Sequence, residues 1–237
     1  MTRVELGDAR YVARWELDGV GGVVVAIDVL RAFTTAAYAF DAGASRIWLA
    51  GTVEGALALG RSIPGSLVMG EEHGRRPDGF DLSNSPVAVA GSDLDGRDLV
   101  QRTSAGVQGI LAARHADRLY AASLVVASAT ARAIDAAGLG APTYVITGRF
   151  PDAAHRGEDD LLTAELIERI RTDRPDDAEA TAAAIAATPD AARMSAAGEG
   201  HVHPDDLTLA SAVDRFDFAM EVDRSDGRPF LRRVDAP

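Results

Sequence analysis

Short apolar runs alternate with longer segments of helical pattern along most of the chain. Residues 23–27 form a continuous apolar run, which is typical of a strand buried on both faces of a sheet. The alanine-rich segment after this run predicts a helix over about residues 31–41. The same alternation predicts further strands near residues 46–50, 66–69, 98–101, 118–122 and 142–147, with helices between them. Strands that alternate with helices predict an α/β fold with a largely parallel or mixed sheet.

Both ends of the chain add elements to this α/β body. Residues 10–17 alternate loosely between polar and apolar positions and predict a first strand at a sheet edge. Residues 158–171 predict a helix that begins with three acids. Residues 216–223 alternate with period two, and residues 230–234 return after a Ser-Asp-Gly turn, which predicts a C-terminal β-hairpin.

The pattern of the first half repeats in the second half. A shift of 72 residues places residues 28–46 on residues 100–118 without a gap, although few residues are identical. We therefore expect a single domain over residues 1–237 that contains two similar halves, roughly 20–95 and 96–170.

Composition and charge narrow the class of function. With 237 residues, 47% of them apolar, the chain can bury a sizeable core in one domain. The net charge of −12 argues against nucleic acid or an anionic membrane as the main partner, and no apolar run is long enough to span a bilayer. There is no cysteine, which excludes disulfides, zinc–thiolate sites and cysteine nucleophiles. The N-terminal residues lack the pattern of a signal peptide, so we expect a cytoplasmic protein, with a homodimer left open.

The first strand-to-helix corner carries candidate chemistry. Asp28 comes directly after the apolar run, Arg31 follows three residues later, and Thr34 and Thr35 add hydroxyl donors. Ligands of open α/β sheets bind beyond the carboxyl ends of strands, where the next helix offers free N–H groups to an anion. An acid for a metal beside an arginine for a phosphate predicts a phosphoryl-transfer site. The alternative is that Asp28 caps the helix and Arg31 pairs with a surface acid.

A long polar loop over residues 70–86 is the second candidate region. It has no clear periodicity and contains Glu71, Asp81, Asn84 and Ser85 among other polar residues. Long loops that follow a strand are usually either functional or disordered, and the apolar residues beside Asp81 favour an ordered loop. The alternative for residues 83–86 is a turn that starts the next helix.

Two further segments can contribute to the same site. Thr103, Ser104 and Gly106 lie at a second strand-to-helix corner, where hydroxyl and amide groups suit phosphate. The alternative there is a serine cap followed by a small residue that lets a helix pack on the sheet. The acids at residues 158–160 are either partners of the helix dipole or ligands of Mg²⁺. The histidines at 201 and 203 fit a solvated turn better than a metal pair.

Several common motifs are missing from the chain. It has no GxxxxGK[ST] phosphate loop, no GxGxxG after a strand and no GxSxG elbow. Leu30 occupies the position where a phosphoaspartate enzyme of the haloacid dehalogenase type needs its second Asp. The residues by themselves therefore indicate an acid-rich site at the strand ends without naming a substrate.

Three segments resemble the 2-phosphosulfolactate phosphatase family, the ComB-like proteins. They are IDVLRAFTT at residues 27–35, MGEEHGRRPDGFDLSNSP at 69–86 and GEDD at 157–160, and the resemblance extends over roughly residues 10–234. It implies a three-layer α/β/α fold and a Mg²⁺-dependent phosphatase of the coenzyme M pathway. The implied reaction is the hydrolysis of 2-phosphosulfolactate, a small anionic phosphoester, to sulfolactate and phosphate.

The resemblance also assigns roles to residues of this chain. It implies that the metal ligands are Asp28, Glu71 and Asp159. It implies that the catalytic residues are Asp28, Arg31, Glu71 and Asp81, with Glu158 as a further acid near the site. It implies that the substrate-binding residues are Thr34, Thr35, Asn84, Ser85, Thr103, Ser104 and Gly106.

The second corner departs from the family pattern Thr-Thr-Asn-Gly-Thr-Arg-Ala. Ala105 replaces the Asn, Gln108 replaces the Arg, and Val126 replaces a further Asn. A glutamine cannot supply the charge of an anion-binding arginine, and Arg102 is a candidate replacement one register earlier. A non-catalytic protein that binds a small anion or metabolite on the same fold is therefore the alternative to a phosphatase.

Overall fold

The computed structural model describes residues 8–151, 156–175, 177–196 and 202–235. The strands are β1 (Arg10–Val12), β2 (Val23–Ile27), β3 (Arg46–Leu49), β4 (Leu67–Gly70), β5 (Leu82–Ser83), β6 (Asp98–Arg102), β7 (Arg118–Ala122), β8 (Thr143–Ile146), β9 (Ala219–Asp223) and β10 (Phe230–Val234). The helices are α1 (Ala32–Asp41), α2 (Val53–Ser62), α3 (Pro86–Ala90), α4 (Gly106–Ala112), α5 (Ala127–Ala137), α6 (Glu158–Arg171), α7 (Ala178–Ala186), α8 (Pro189–Ala196) and α9 (Asp206–Ala210). Short 3₁₀ turns occupy Arg14–Glu16 and Leu124–Val126.

All of these strands join one mixed sheet in the order β1-β8-β2-β7-β9-β10-β3-β6-β4-β5. The first four strands of this order are parallel to one another, and so are the last four. The hairpin β9–β10 lies between the two groups and pairs antiparallel with β7 on one side and with β3 on the other. The two parallel groups therefore run in opposite directions, and the hairpin at the end of the chain forms the middle of the sheet.

Helices cover both faces of the sheet, which confirms the predicted α/β class. On β2, Val24 and Ala26 pack into the core that contains α1, α3 and α4. The alternate residues Val23, Val25 and Ile27 pack into the core that contains α5, α6 and α7. This alternation explains why β2 is apolar at every position, because both faces of the strand are buried.

Helix α1 is buried around most of its circumference. Every residue from Ala32 to Phe40 is buried, and only the terminal Asp41 is exposed. A helix that is apolar on all sides must lie inside the protein, and the small alanine side chains let neighbouring elements approach closely. The start of α1, directly after Asp28 and Arg31, is therefore held rigidly between the sheet and the helices around it.

The structure corrects three boundaries and leaves the duplication a prediction. The first strand is Arg10–Val12 rather than residues 10–17, because a 3₁₀ turn follows it. Helix α4 begins at Gly106 rather than near residue 104. The loop of residues 70–86 contains the short strand β5. Strand β2 lies between β8 and β7, and β6 lies between β3 and β4, so strands of the two predicted halves alternate. In the described part of the chain, no helix has both the length and the apolar character needed to cross a membrane.

Candidate active site

A cavity of about 800 Å³ opens where the segments after β2, β4, β6 and β8 meet. This volume lies within the range of small-molecule sites, and the position beyond strand ends is the one that ligands of α/β sheets favour. The walls carry both acids and arginines. The charged residues that line it are Asp28, Glu71, Asp159, Asp160, Asp190, Arg14, Arg31, Arg102 and Arg193.

Asp28 lies at the centre of this arrangement. Its carboxylate accepts the amide N–H of Ala32 at 2.8 Å and also the amide of Gly106. Burial raises the pKa of Asp28 from 3.8 to about 6, and the negative charge of Glu71 adds to the rise, while these hydrogen bonds oppose it. Asp28 therefore accepts the first amide of α1, as in the capping alternative, and also lines the cavity, so its role in catalysis stays a prediction.

Asp159 and Asp160 enter the cavity from the first turn of α6. Asp160 accepts the amide of Val29 at 3.0 Å and the amide of Gly148 at 2.7 Å, which ties α6 to the ends of β2 and β8. Burial, together with the negative charges of Asp190 and Asp28, raises the pKa of Asp159 to about 7. Burial likewise raises the pKa of Asp160 well above 3.8, with contributions from Asp159 and Asp28. The cavity thus contains a group of buried carboxyls that resist being ionised together.

Glu71 forms hydrogen bonds with the second strand-to-helix corner, between β6 and α4. One carboxylate oxygen accepts the amide of Ser104 at 2.5 Å, and the other accepts the amide of Gly74 at 2.6 Å and the hydroxyl of Ser104 at 3.2 Å. These bonds fix the corner after β6 against the polar loop after β4. Glu71 lines the cavity, but its oxygens are turned to the protein amides.

Two arginines in the wall have different surroundings. Arg31 is buried, and its guanidinium donates to Asp206 at 2.6 Å. Arg102 donates to the carbonyl of Glu71 at 2.6 Å and pairs with Glu72 at 2.9 Å. Its Nε atom is buried and has no hydrogen-bond partner among the described residues. The sequence candidate for a replacement arginine therefore lies in the cavity wall.

The residues that replace the family's Asn and Arg also line the cavity. Gln108 donates its side-chain amide to the carbonyls of Gly51 and Thr103, at 3.0 Å and 3.1 Å. Ala105 brings no polar group. Asn84 is buried in the wall, and its Oδ1 atom has no hydrogen-bond partner in the part of the chain that is described. The side-chain oxygen of Asn84 therefore has no protein partner among the described residues, while the Gln108 side chain is bonded to the backbone.

Asp81 and Glu158 lie outside the cavity. Asp81 is exposed, and its carboxylate accepts the amide of Val68 at 2.8 Å, so it braces the loop beside β4. Glu158 is partly buried at the start of α6, where an acid favours the positive end of the helix dipole, and does not line the cavity. The predicted catalytic role of Asp81 stays a prediction, and the structure places its carboxylate on a backbone amide outside the cavity.

Most of the predicted hydroxyl donors are used inside their own elements. Thr34 donates to a main-chain carbonyl just before α1 at 2.7 Å, and Thr103 accepts an amide of the first turn of α4 at 3.0 Å. Ser85 caps α3 by accepting an amide at 3.2 Å, in keeping with the alternative in which residues 83–86 start the next helix. None of these, nor Thr35 or Gly106, lines the cavity, and their contact with substrate stays a prediction.

Gly106 has a packing role instead of an anion-binding one. A Cβ atom at this position would lie 2.7 Å from Oδ2 of Asp28 and 2.9 Å from Cβ of Ala32. Real Cβ atoms do not approach other atoms this closely, so only glycine lets the start of α4 touch the start of α1 here.

The acids of the cavity fit Mg²⁺ only in part. Among the described residues, no three His, Asp or Glu side chains form a group that could hold one metal ion. The predicted set of Asp28, Glu71 and Asp159 is therefore not assembled as a cage. Mg²⁺ in phosphoryl-transfer sites commonly takes only one or two carboxylates together with water and substrate oxygens, and the buried pair Asp28 and Asp159 suits that pattern. His201 lies outside the described residues, and His203 is exposed.

The sequence analysis missed several residues of the wall. Asp160 was recognised only as part of an acidic trio, although its two amide contacts make it the better anchored acid. Arg14 donates to the carbonyl of Ser104 at 3.0 Å and lies over the ring of Phe150. Arg193 on α8 pairs with Asp190 at the mouth of the cavity. No local motif distinguishes these arginines, because only the tertiary fold brings them to the site.

Comparison with known proteins gives one consistent result. A family model described as 2-phosphosulpholactate phosphatase matches residues 11–232. A protein of Bacillus subtilis (strain 168) is 37% identical over 146 residues, which is 62% of each chain. A protein of Deinococcus radiodurans is 43% identical over 111 residues, which is 46% of each chain. A protein of Thermus thermophilus is 35% identical over 146 residues, which is 61% of this chain and 60% of the relative. Each is named a probable 2-phosphosulfolactate phosphatase, and each match spans less than two thirds of the relative's length.

Proposed function

The chain belongs to the 2-phosphosulfolactate phosphatase family, and from that premise we propose that it is a phosphoric monoester hydrolase acting on a small acidic phosphoester. The substrate we propose is 2-phosphosulfolactate, after the names of the relatives, and the products are sulfolactate and phosphate. One structural observation carries the proposal: a single cavity combines the buried acids Asp28 and Asp159 with the arginines Arg31 and Arg102. Acids and arginines together suit the transfer of a phosphoryl group.

The arginines of the cavity suit the anionic groups of the proposed substrate. A phosphosulfolactate carries a phosphate, a sulfonate and a carboxylate, and four arginines of the described residues line the cavity. The guanidinium group binds such planar or tetrahedral anions through paired hydrogen bonds. Arg102 has an Nε atom without a partner among the described residues, and Arg31 lies in the wall of the same cavity, so we assign the phosphate to these two arginines.

We propose Mg²⁺ as the cofactor, held by Asp28 and Asp159. When bound, the ion would supply Lewis-acid polarisation of a phosphoryl oxygen. Asp160, which is not one of the two proposed ligands, can keep a proton close to the reacting group, because burial raises its pKa well above 3.8 and so favours its protonated form. Such a proton can pass to the oxygen that leaves phosphorus when the ester is cleaved.

A second candidate function follows from Gln108. Its amide is bonded to two backbone carbonyls, so this position supplies no positive charge to an anion. A protein on this fold that binds a small anion without hydrolysing it would be compatible with that change.

The test is a phosphate-release assay on the purified protein with and without Mg²⁺. The panel would contain 2-phosphosulfolactate, phospholactate, phosphoglycerates and an aryl phosphate. We expect Mg²⁺-dependent release, fastest from 2-phosphosulfolactate. Release that is fastest from another ester would disprove the proposed substrate, and no release from any ester, by folded protein that binds phosphate, would favour the binding protein.

A further inference from the structure

Asp206 is a buried acid that the proposed function does not yet use. It lies at the start of α9 and is completely buried. Its carboxylate accepts four hydrogen bonds from the described part of the chain. The donors are Nη1 of Arg31 at 2.6 Å, Oγ of Ser85 at 2.6 Å, the amide of His203 at 3.0 Å and the amide of Val87 at 3.4 Å.

A carboxylate without access to water needs such compensation. Removing an ionised carboxylate from water is costly unless opposite charge and hydrogen-bond donors replace the lost hydration. Asp206 obtains one positive charge, from Arg31, and three donors that hold its orientation. The neighbouring Asp205 differs, since its side chain is exposed, accepts no capping hydrogen bond and lies 3.8 Å from the exposed imidazole of His203. Two adjacent acids of one short helix therefore have different roles.

Asp206 contacts one residue of the cavity wall and the chain neighbour of another. Arg31 is a lining residue at the start of α1, three residues after Asp28. Ser85 is followed by α3 and preceded by Asn84, which lines the cavity with an unpartnered Oδ1 atom. One carboxylate thus fixes the guanidinium of Arg31 directly and the position of Asn84 through its neighbour.

We propose that Asp206 is a positioning residue that holds Arg31 in the orientation in which it binds the phosphoryl group of the substrate. This inference rests on the proposed function, because it assigns Arg31 an anion to bind. A guanidinium has five N–H donors in a fixed plane, so a carboxylate bound to one of them determines where the others point. The same carboxylate bonds α9 to the segments before α1 and α3, so the cavity is shaped in part by the C-terminal segment of the chain.

The test compares Asp206→Asn with Asp205→Asn, the neighbouring exposed acid. Two quantities would be measured: kcat/KM for 2-phosphosulfolactate, and the Kd of inorganic phosphate by calorimetry. Misplacing a binding group by about 1 Å can cost about 100-fold in rate, so we expect kcat/KM to fall by about that factor in Asp206→Asn. We expect phosphate to bind about 10-fold more weakly, which corresponds to one orienting interaction. Asp205→Asn should match the wild type in both measurements.

A double mutant separates positioning from general support of the fold. If Asp206 acts through Arg31, Asp206→Asn should change kcat/KM and the phosphate Kd less than twofold when Arg31→Gln is already present. An equal loss in both backgrounds would overturn the proposal, and so would wild-type affinity and rate in Asp206→Asn.

A second variant covers the case in which Asp206→Asn does not fold. Asp206→Glu keeps the charge but moves the carboxylate by one methylene, and we expect a folded protein with about 10-fold lower kcat/KM. Wild-type kinetics in Asp206→Glu would contradict a positioning role.

The phosphate measurement keeps the two proposals apart. A wild type that binds phosphate but hydrolyses no ester would disprove the proposed function, and the phosphate Kd of the variants would still decide the role of Asp206. A wild type that binds no phosphate would overturn the positioning role, because Arg31 would then have no anion to bind.

Discussion

Three buried acids lie in the wall of one cavity: Asp28, Asp159 and Asp160. Burial raises the pKa of each, and each one's negative charge makes it harder for a neighbour to ionise. Backbone amides oppose this effect at Asp28 and Asp160 without cancelling it. Burial and repulsion destabilise the ionised form of such carboxyl groups. A cation between them would offset both effects, so such a group favours the binding of a cation.

The metal-free protein is expected to lose stability as the pH rises. The folded-state pKa values of Asp28 and Asp159 are about 6 and about 7, above the ordinary 3.8, so the folded state binds more protons than the unfolded state between these values. The free energy of unfolding therefore falls as the pH rises through that window, by on the order of 1.4 kcal/mol for each unit of pKa shift.

Denaturant unfolding in the presence of a chelator, at pH 5 and at pH 8, measures this loss. In Asp159→Asn, the fall in the free energy of unfolding between pH 5 and pH 8 should be smaller by on the order of a few kcal/mol. Asp78→Asn alters an exposed acid and should leave this fall unchanged. An unchanged pH dependence in Asp159→Asn would contradict the raised pKa of this group.

Arg102 is expected to contribute mainly to substrate binding. Its unpartnered Nε atom faces a buried environment, so an anion there gains a charge-assisted hydrogen bond. Arg102→Gln should raise KM for the phosphoester about 10-fold or more, with a smaller change in kcat. The exposed Arg97→Gln is the matched control in steady-state kinetics. An unaltered KM in Arg102→Gln would show that this arginine has only a structural role.

At the scale of elements, the site depends on two helix starts that touch. The start of α1 presents Asp28, and the start of α4 approaches it so closely that Gly106 tolerates no side chain. Gln101 of β6 adds to this contact by donating its side-chain amide to the carbonyl of Ala32 at 2.9 Å. Packing within the core therefore fixes the positions of the two strand-to-helix corners, before α1 and before α4, relative to each other.

Gly106→Ala tests this contact. An alanine in the first turn of α4 would favour the helix by about 1 kcal/mol relative to glycine, but its Cβ atom would lie 2.7 Å from Asp28 and 2.9 Å from Ala32. Overpacking of this kind costs about 1–3 kcal/mol, so we expect a net loss of stability together with a displaced Asp28 and lower activity. Gly91→Ala, whose Cβ atom would lie at an ordinary 3.5 Å from the carbonyl oxygen of Val87, should be close to neutral in thermal unfolding and in activity.

The sequence predicted the individual strands and helices better than it predicted which of them lie next to each other. The apolar run of β2 and the helix α6 depend on local patterns, and the structure has them where they were expected. The place of β9 and β10 depends on pairing between segments that are distant in sequence, and no local pattern records that pairing. Asp206 was missed for the same reason, since its partners lie more than a hundred residues away.

On the scale of the molecule, the hairpin β9–β10 joins the two parallel groups of strands. Phe230 and Leu231 pair with β3 and belong to two different cores, on opposite faces of the sheet. The cavity draws residues from both groups, since Asp28 follows β2 and Arg102 ends β6. The site is therefore complete only when the whole sheet has formed.

We expect the chain to unfold in one cooperative transition. The two tryptophans report on different groups of strands, because Trp15 follows β1 and Trp48 lies in β3 against Phe230. Fluorescence of the variants Trp15→Phe and Trp48→Phe should give the same midpoint in denaturant once corrected for any change in stability. Leu231→Ala should lower both midpoints together, at a cost of about 2–5 kcal/mol. Separate transitions would show that the halves fold independently.

The measurement that tests the account most directly is the hydrolysis of 2-phosphosulfolactate by Asp28→Asn in the presence of Mg²⁺. Asparagine keeps the size of the side chain and its capping bond to α1 but removes the charge that faces the cavity. We predict a fall in kcat of about 100-fold or more, with wild-type activity in Asp41→Asn, at the exposed end of the same helix. Undiminished Mg²⁺-dependent hydrolysis by a folded Asp28→Asn would contradict the placement of the active site in this cavity.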